Sequence, residues 1–167
     1  MVVLEEAIRA MRFVRLDPRG REFQRAHVAT QAATEDSLAQ ALAYTGKKLL
    51  VTHRGTLDPC AFWQSFGNLR ESFFEMTGPT LEDQYRRHAF VLHMESAAVR
   101  VPEAYARWPH GHRPEDVAQA ARLDTLLDEL WCQHPHYVKL DGTPDFEDKL
   151  RRGVEVVLAQ ARQLSPA

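Results

Sequence analysis

The residues best suited to chemistry in this sequence lie in a few short runs. His53-Arg54-Gly55-Thr56-Leu57-Asp58 puts an imidazole, a guanidinium and a carboxylate within six positions, with a glycine between them. A guanidinium grips phosphate through a planar fork of donors, and a carboxylate oxygen suits Mg²⁺. Glu5 and Glu6, followed by Arg9, bring acids and an arginine together near the start of the chain. His93 and Glu95 form a third run, Asp141 stands alone further on, and Arg100 and Arg113 lie between them. These residue types fit a phosphate and metal site, where placed cations stabilise charge on a transferring phosphoryl group. The pairs His110-x-His112 and Cys132-x-His134-x-His136 make a poor zinc site, because alternate residues point apart and no C-x-x-C accompanies them.

Four short apolar, β-leaning segments supply the elements that would position these groups: Met1–Leu4, Leu49–Thr52, Ala89–Leu92 and His136–Leu140. The middle two lack polar alternation, as strands covered on both faces do. Helical periodicity fills the intervals. Phe23, Ala26, Thr30, Ala33, Leu38 and Ala41 space one helix that ends before Gly46. Asp58-Pro59 reads as an N-cap with proline at the first helical position, opening a helix toward Met76. Gly78-Pro79 breaks it, and Thr80 with Asp83 forms a capping box for a short successor. Pro114-Glu115-Asp116 opens a helix with Val117, Ala120, Ala121, Leu127 and Trp131 on its apolar face. The last helix starts near Thr143-Pro144-Asp145 and would bury Phe146, Leu150, Val154, Val157 and Ala161. Val99–His112, without periodicity, reads as a mobile connection over the sheet edge. Alternating strands and helices predict a three-layer α/β fold with a parallel sheet. Ligands in such sheets bind beyond the carboxyl ends of the strands, where Glu5-Glu6, His53-Arg54-Gly55, His93 with Glu95, and Asp141 all fall.

The chain's 167 residues suit a single domain over 1–167. Hydrophobic residues at 44% and charged residues at 26% exclude bulk disorder. A net charge of -2 argues against a dedicated nucleic-acid binder, so no nucleic-acid partner is expected. No apolar run is long enough for a membrane span, and two cysteines suit a reducing cytoplasm better than a disulfide scaffold. Cys60 and Cys132, each beside a helix face, read as small core residues. Arg9, Arg12, Arg15, Arg19, Arg21 and Arg25 form a basic run opposed only by Asp17 and Glu22. It reads as a solvated face, or as a grip on a phosphorylated substrate, an anionic lipid headgroup or RNA.

Read as H-R-G-x-x-D-x-x-A-F, the segment from His53 to Phe62 resembles the D-R-G-x-x-D-x-x-A-Y segment of P-loop ATPases in the nicotinamide-riboside-kinase-like AAA family. More distantly it resembles the arginine motif of thymidylate and deoxynucleoside kinases. Val2–Arg9 is similar to the family's second strand running into E-x-x-R, and Gly111–Asp116 is similar to its G-x-R-x-E lid. The resemblance covers essentially the whole chain. It implies an ATP- and Mg²⁺-dependent ATPase or small-molecule kinase acting on an unnamed small acceptor. It implies Glu6 near the acceptor as a catalytic general base or a hold on substrate, Arg9 supporting that loop or pairing with Glu6 and binding substrate, and Arg54 on a phosphate or the transferred group. Asp58 would bind metal or substrate, or merely cap its helix; Arg113 would close over the phosphates from a lid spanning about 97–116. His53 and Arg100 are further candidates for holding cofactor and substrate.

Two departures stand beside these matches. The acid opening the family's D-R-G is His53 here, and a neutral imidazole cannot replace a carboxylate for a hard, oxygen-seeking Mg²⁺. In addition, no G-x-x-x-x-G-K followed by serine or threonine occurs in the sequence. In the family that loop follows a strand lying centrally in the order 2-3-1-4-5. Without it the four expected strands would flank an empty slot of unpaired backbone groups, which is costly when buried. The expectation is therefore a mononucleotide fold whose central strand and anion loop lie outside these residues, begun about 20–40 residues late, and inactive alone. The rival is a non-catalytic module that binds a phosphorylated ligand, a phospholipid headgroup or a protein partner.

Overall fold

A computed structural model of the chain describes residues 17, 19–46, 49–107 and 115–163. It divides into two compact units, with the boundary between Tyr85 and Arg86.

In the first unit α1 (Arg21–Leu42) is the longest element, and Gly46 at φ 68° closes the turn after it. Its buried stripe is Phe23, Gln24, His27, Val28, Gln31 and Glu35. The apolar set expected from spacing is not the buried set: Thr30, Ala33 and Ala41 are exposed. Leu49–Thr52, expected as a strand, forms none among the described residues; a strand requires a neighbour's amides and carbonyls, and no described backbone segment supplies them. Met1–Leu4 lies outside the described residues. α2 (Asp58–Ser65) and α3 (Arg70–Thr77) replace the single helix expected from Asp58 to Met76. The break is at Gly67, whose φ of 87° is left-handed, and Trp63 fixes the corner by donating from Nε1 to Leu69 O at 3.2 Å and Ser72 Oγ at 2.9 Å. Asp58 is the first helical residue, not the cap, since Leu57 holds the cap position. α4 (Leu81–Arg86) starts on the expected box: Thr80 N–H donates to Asp83 Oδ2 and Asp83 N–H to Thr80 Oγ1. Leu57, Cys60, Ala61 and Phe73 are fully enclosed at the centre of this unit.

The second unit contains the two strands, β1 (Val91–Met94) and β2 (Tyr137–Leu140), which pair in parallel from Val91↔Tyr137 to Met94↔Leu140. Parallel neighbours need a crossover, supplied by α5 (Ala97–Arg100), α6 (Pro102–Arg107) and α7 (Val117–Trp131). Of the connection expected to be mobile, Val99–His112, the described part is helical on either side of Val101, with Ser96 capping α5 through Ala98 N, and residues 108–112 lie outside the described residues. Asp116 and Gln119 form a reciprocal capping box on α7, which buries Leu123, Leu127, Leu130 and Trp131.

α8 (Phe146–Gln163) covers the sheet with Gly153, where a Cβ would stand 3.7–3.8 Å from Met94, Leu140 and Leu92. The expected buried stripe is mostly exposed instead, with Phe146 at 68% and Leu150 and Val154 at about half. A Cβ would fit there in ordinary contact, so Gly153 marks the face of α8 turned to the sheet, and the stripe of Phe146, Leu150 and Val154 is turned away. The described sheet is therefore two-stranded and parallel, within an α/β arrangement.

Candidate functional site

The Arg54 turn is held by α1. Arg54 has φ 78° and is the only non-glycine residue with positive φ among those described. An L-residue in that region costs roughly 1–2 kcal/mol, so neighbouring contacts must fix it. Gln31 provides one, donating from Nε2 to Arg54 O at 2.8 Å. The same amide nitrogen donates to Glu35 Oε1 at 3.0 Å, and both α1 side chains are buried. On the other side of the turn the hydroxyl of buried Thr56 donates to Gln84 Oε1, and Asp58 N–H donates to Gly55 O at 3.1 Å.

The Arg54 side chain leaves this fixed backbone outward. Its guanidinium carbon lies 5.7 Å from the Phe62 ring centroid and Nη1 is 3.6 Å from Asp58 Oδ2, while the side chain stays 40% exposed. A contact of 3.6 Å is too long for a hydrogen bond, and such a pair contributes little, so the guanidinium keeps donors to offer. Earlier on α1, His27 is buried with Nε2 unpartnered. Burial lowers its pKa, against the opposing charge of Asp58.

At the carboxyl ends of β1 and β2 lies a second polar assembly, built on Glu95. Its carboxylate, 3% exposed, accepts from Gly142 N at 2.8 Å and Arg100 Nε at 2.5 Å, and pairs with Lys139 Nζ at 3.1 Å. Burial would raise this carboxyl, but these donors outweigh it and hold the pKa at about 2. Gly142 is needed for the approach: a Cβ there would stand 3.1 Å from Ser96 O and 3.3 Å from Glu95 Oε2. Arg100 also pairs with Asp141 at 3.0 Å, and Lys139 with Asp128 at 2.5 Å. Tyr137 OH donates to Asp128 at 2.5 Å; burial, then this bond, raises the phenol's pKa. Lys149 Nζ donates to the Glu95 carbonyl, and its burial lowers its pKa. Asp124 joins in, accepting from Ser96 N at 2.7 Å and meeting His93 Nε2 at 3.3 Å.

A parallel sheet with polar residues beyond the carboxyl ends of its strands is found in ligand-binding α/β proteins. The family model described as AAA domain matches residues 1–149. The chain belongs to the AAA domain family. No curated protein and no solved structure matches it significantly. The family association brings with it a P-loop-like nucleotide-binding function.

Within this AAA domain, Arg54 and Asp58 come together in the first unit, and His53 is exposed beside them. Arg100 is in the second unit, engaged by Glu95 and Asp141. Glu5, Glu6, Arg9, Arg113 and the histidines at 110 and 112 lie outside the described residues. No group of three or more metal-ligating side chains occurs among the described residues. His134 uses both ring nitrogens, Nδ1 accepting from His136 N at 3.1 Å and Nε2 donating to His88 O at 2.9 Å. Cys132 is exposed, contrary to its expected place in the core, because the chain leaves α7 at that point; Cys60 is buried as expected. No helix among the described residues is long and apolar enough to cross a membrane.

Residue spacing did not reveal Gln31, Glu35 or His27, because their polar side chains mimic a solvated stripe. The signal was available only as the match of 24, 27, 31 and 35 to a helical face beside the H-R-G segment.

Proposed function

We propose that this AAA domain binds a nucleoside triphosphate with Mg²⁺, and that Arg54 presents its guanidinium to the phosphates. The reaction class that follows is phosphoryl transfer to a small acceptor, or nucleotide hydrolysis. The single observation carrying this reading is a half-exposed guanidinium, loosely paired to Asp58, on a backbone locked in a left-handed conformation. Fixed orientation before binding is what makes such a group effective on developing phosphate charge.

The donor set fits the group. Arg54 suits phosphate oxygens, and Mg²⁺ keeps several waters and needs one or two protein carboxylates, a role Asp58 can fill. His53 supplies no oxygen and would serve as a ring N–H donor to phosphate. Glu6 and Arg9 take the acceptor side and Arg113 the closing arginine, as the family resemblance implies; Arg100 becomes a substrate contact only by leaving both Glu95 and Asp141. A second reading, a phosphate-binding module without turnover, is favoured by His53 in place of the family's acid.

Inorganic pyrophosphate with Mg²⁺ tests the reading. No G-x-x-x-x-G-K-S/T anion loop occurs in the sequence, so millimolar affinity is expected, with nuclear magnetic resonance shifts centred on residues 53–58. Arg54→Ala should abolish those shifts and leave the fold intact. Shifts centred elsewhere, or an unchanged response in the variant, refute the role of Arg54.

A further inference from the structure

We infer that Gln31 is a positioning residue whose carboxamide holds the Arg54 backbone in the left-handed conformation from which its guanidinium meets phosphate. The inference deepens the Arg54 reading and rests on it for the last clause only. Glu35 Oε1 is an acceptor, so it dictates which end of the Gln31 amide faces it. One N–H of Nε2 is spent on Glu35 Oε1 at 3.0 Å, and the other is thereby aimed at Arg54 O at 2.8 Å. Both side chains are at least nine-tenths buried, so water cannot substitute for either bond. No helical or strand ladder contains Arg54, and its carbonyl takes its partner from 23 residues away. The chain thus runs from a buried carboxylate, through one amide, to the peptide that sets φ 78°. Glu35 orients, Gln31 transmits, and Arg54 presents.

The test separates this role from simple packing. Gln31→Leu keeps the volume and removes the donor. It is made in the full chain beside Arg54→Ala and Arg54→Gly, and stability is read by urea unfolding. Glycine adopts positive φ freely whereas alanine does not. A positioning role predicts that Gln31→Leu shifts the unfolding equilibrium by about tenfold in Arg54→Gly, and clearly less in the wild-type and Arg54→Ala backgrounds, where losing the tether lets residue 54 relax out of its strained φ. Equal effects in all three backgrounds overturn the inference. If Gln31→Leu fails to fold, Gln31→Asn, which keeps the amide but shortens its reach, is compared across the same backgrounds and judged alike. Pyrophosphate binding supplies the second readout: Gln31→Leu should weaken it about tenfold while Arg54 is still present. A background-dependent stability effect without any pyrophosphate response at Arg54 upholds the positioning role and refutes the phosphate reading.

Discussion

Neutralising Glu95 should remove a pH-dependent part of the second unit's stability. Glu95→Gln keeps the side chain's size and its ability to accept from Gly142 N–H, but discards the charge facing Arg100 and Lys139. The carboxyl's depression from 4.5 to about 2 converts, at 1.36 kcal/mol per unit, to about 3 kcal/mol. Two considerations reduce that figure. Arg100 and Lys139 are 51% and 30% exposed, so solvent screens both partners, and after substitution they retain Asp141 and Asp128. The loss should therefore be about 2 kcal/mol at neutral pH, below the 3–5 typical of a stranded buried charge. The sign follows from linkage. The folded carboxyl has the lower pKa, so its contribution is complete above 4.5 and is lost as pH falls from there toward about 2. The deficit of Glu95→Gln relative to wild type should shrink over that same window. Amide hydrogen exchange of β1 and β2, measured across a urea series at neutral and acidic pH, reads this unit directly. Equal stability of the two proteins at neutral pH, or a deficit that stays constant on acidification, refutes the argument.

Two further outcomes follow from buried titratable groups. His27, its pKa lowered by burial, takes up a proton more readily when unfolded, so stability of the first unit should fall as pH drops below 6.5. His27→Gln should flatten that fall in urea titrations, and an unchanged slope would exclude His27 as its source. Cys60 is enclosed and its thiol is pushed up to about 12, leaving roughly one thiolate in ten thousand at pH 8, whereas Cys132 is exposed. Native protein treated with a thiol reagent should be modified at Cys132 alone, with Cys60 reacting only after denaturant is added; rapid native labelling of Cys60 would contradict its burial.

Elements governed by local chemistry were legible in the sequence. Thr80 with Asp83, and Asp116 at the head of α7, mark helix starts through bonds between residues three apart, which any local reading can find. The runs at 89–92 and 136–140 also mark β1 and β2 to within two residues, through their β-branched and aromatic content rather than full burial, since only His93 and Leu140 of the two strands are buried. What failed depended on partners distant in sequence. Leu49–Thr52 has strand composition, but a strand is a property of a pair. The stripe Phe146, Leu150, Val154 was assigned to one face correctly, yet periodicity says which residues share a face and not which face is covered. Gly153 and Lys149 mark the covered face, the first lying against Met94, Leu140 and Leu92 and the second reaching the Glu95 carbonyl. In the same way α1 hides its polar stripe from any reading that equates burial with apolarity. Of the expected site residues, the H-R-G segment was legible from residue types alone, while the Gln31 amide that restrains it was not.

The two polar assemblies also differ in a way that bears on function. Around Glu95 every charge has a close partner: its carboxylate meets two cations and a backbone N–H, those cations meet Asp141 and Asp128, and Asp128 meets Tyr137. An anionic ligand entering there would have to displace carboxylates at 2.5–3.1 Å, so the arrangement stabilises the ends of β1 and β2 at the expense of binding. Around Arg54 the balance is reversed. Its nearest carboxylate is 3.6 Å away, its side chain is 40% exposed, and the bonds present are made by its backbone. A phosphate approaching Arg54 gains charge-assisted hydrogen bonds without first breaking comparable ones. The cost of holding the arginine in place is met during folding, through Gln31 and Glu35, before any ligand arrives.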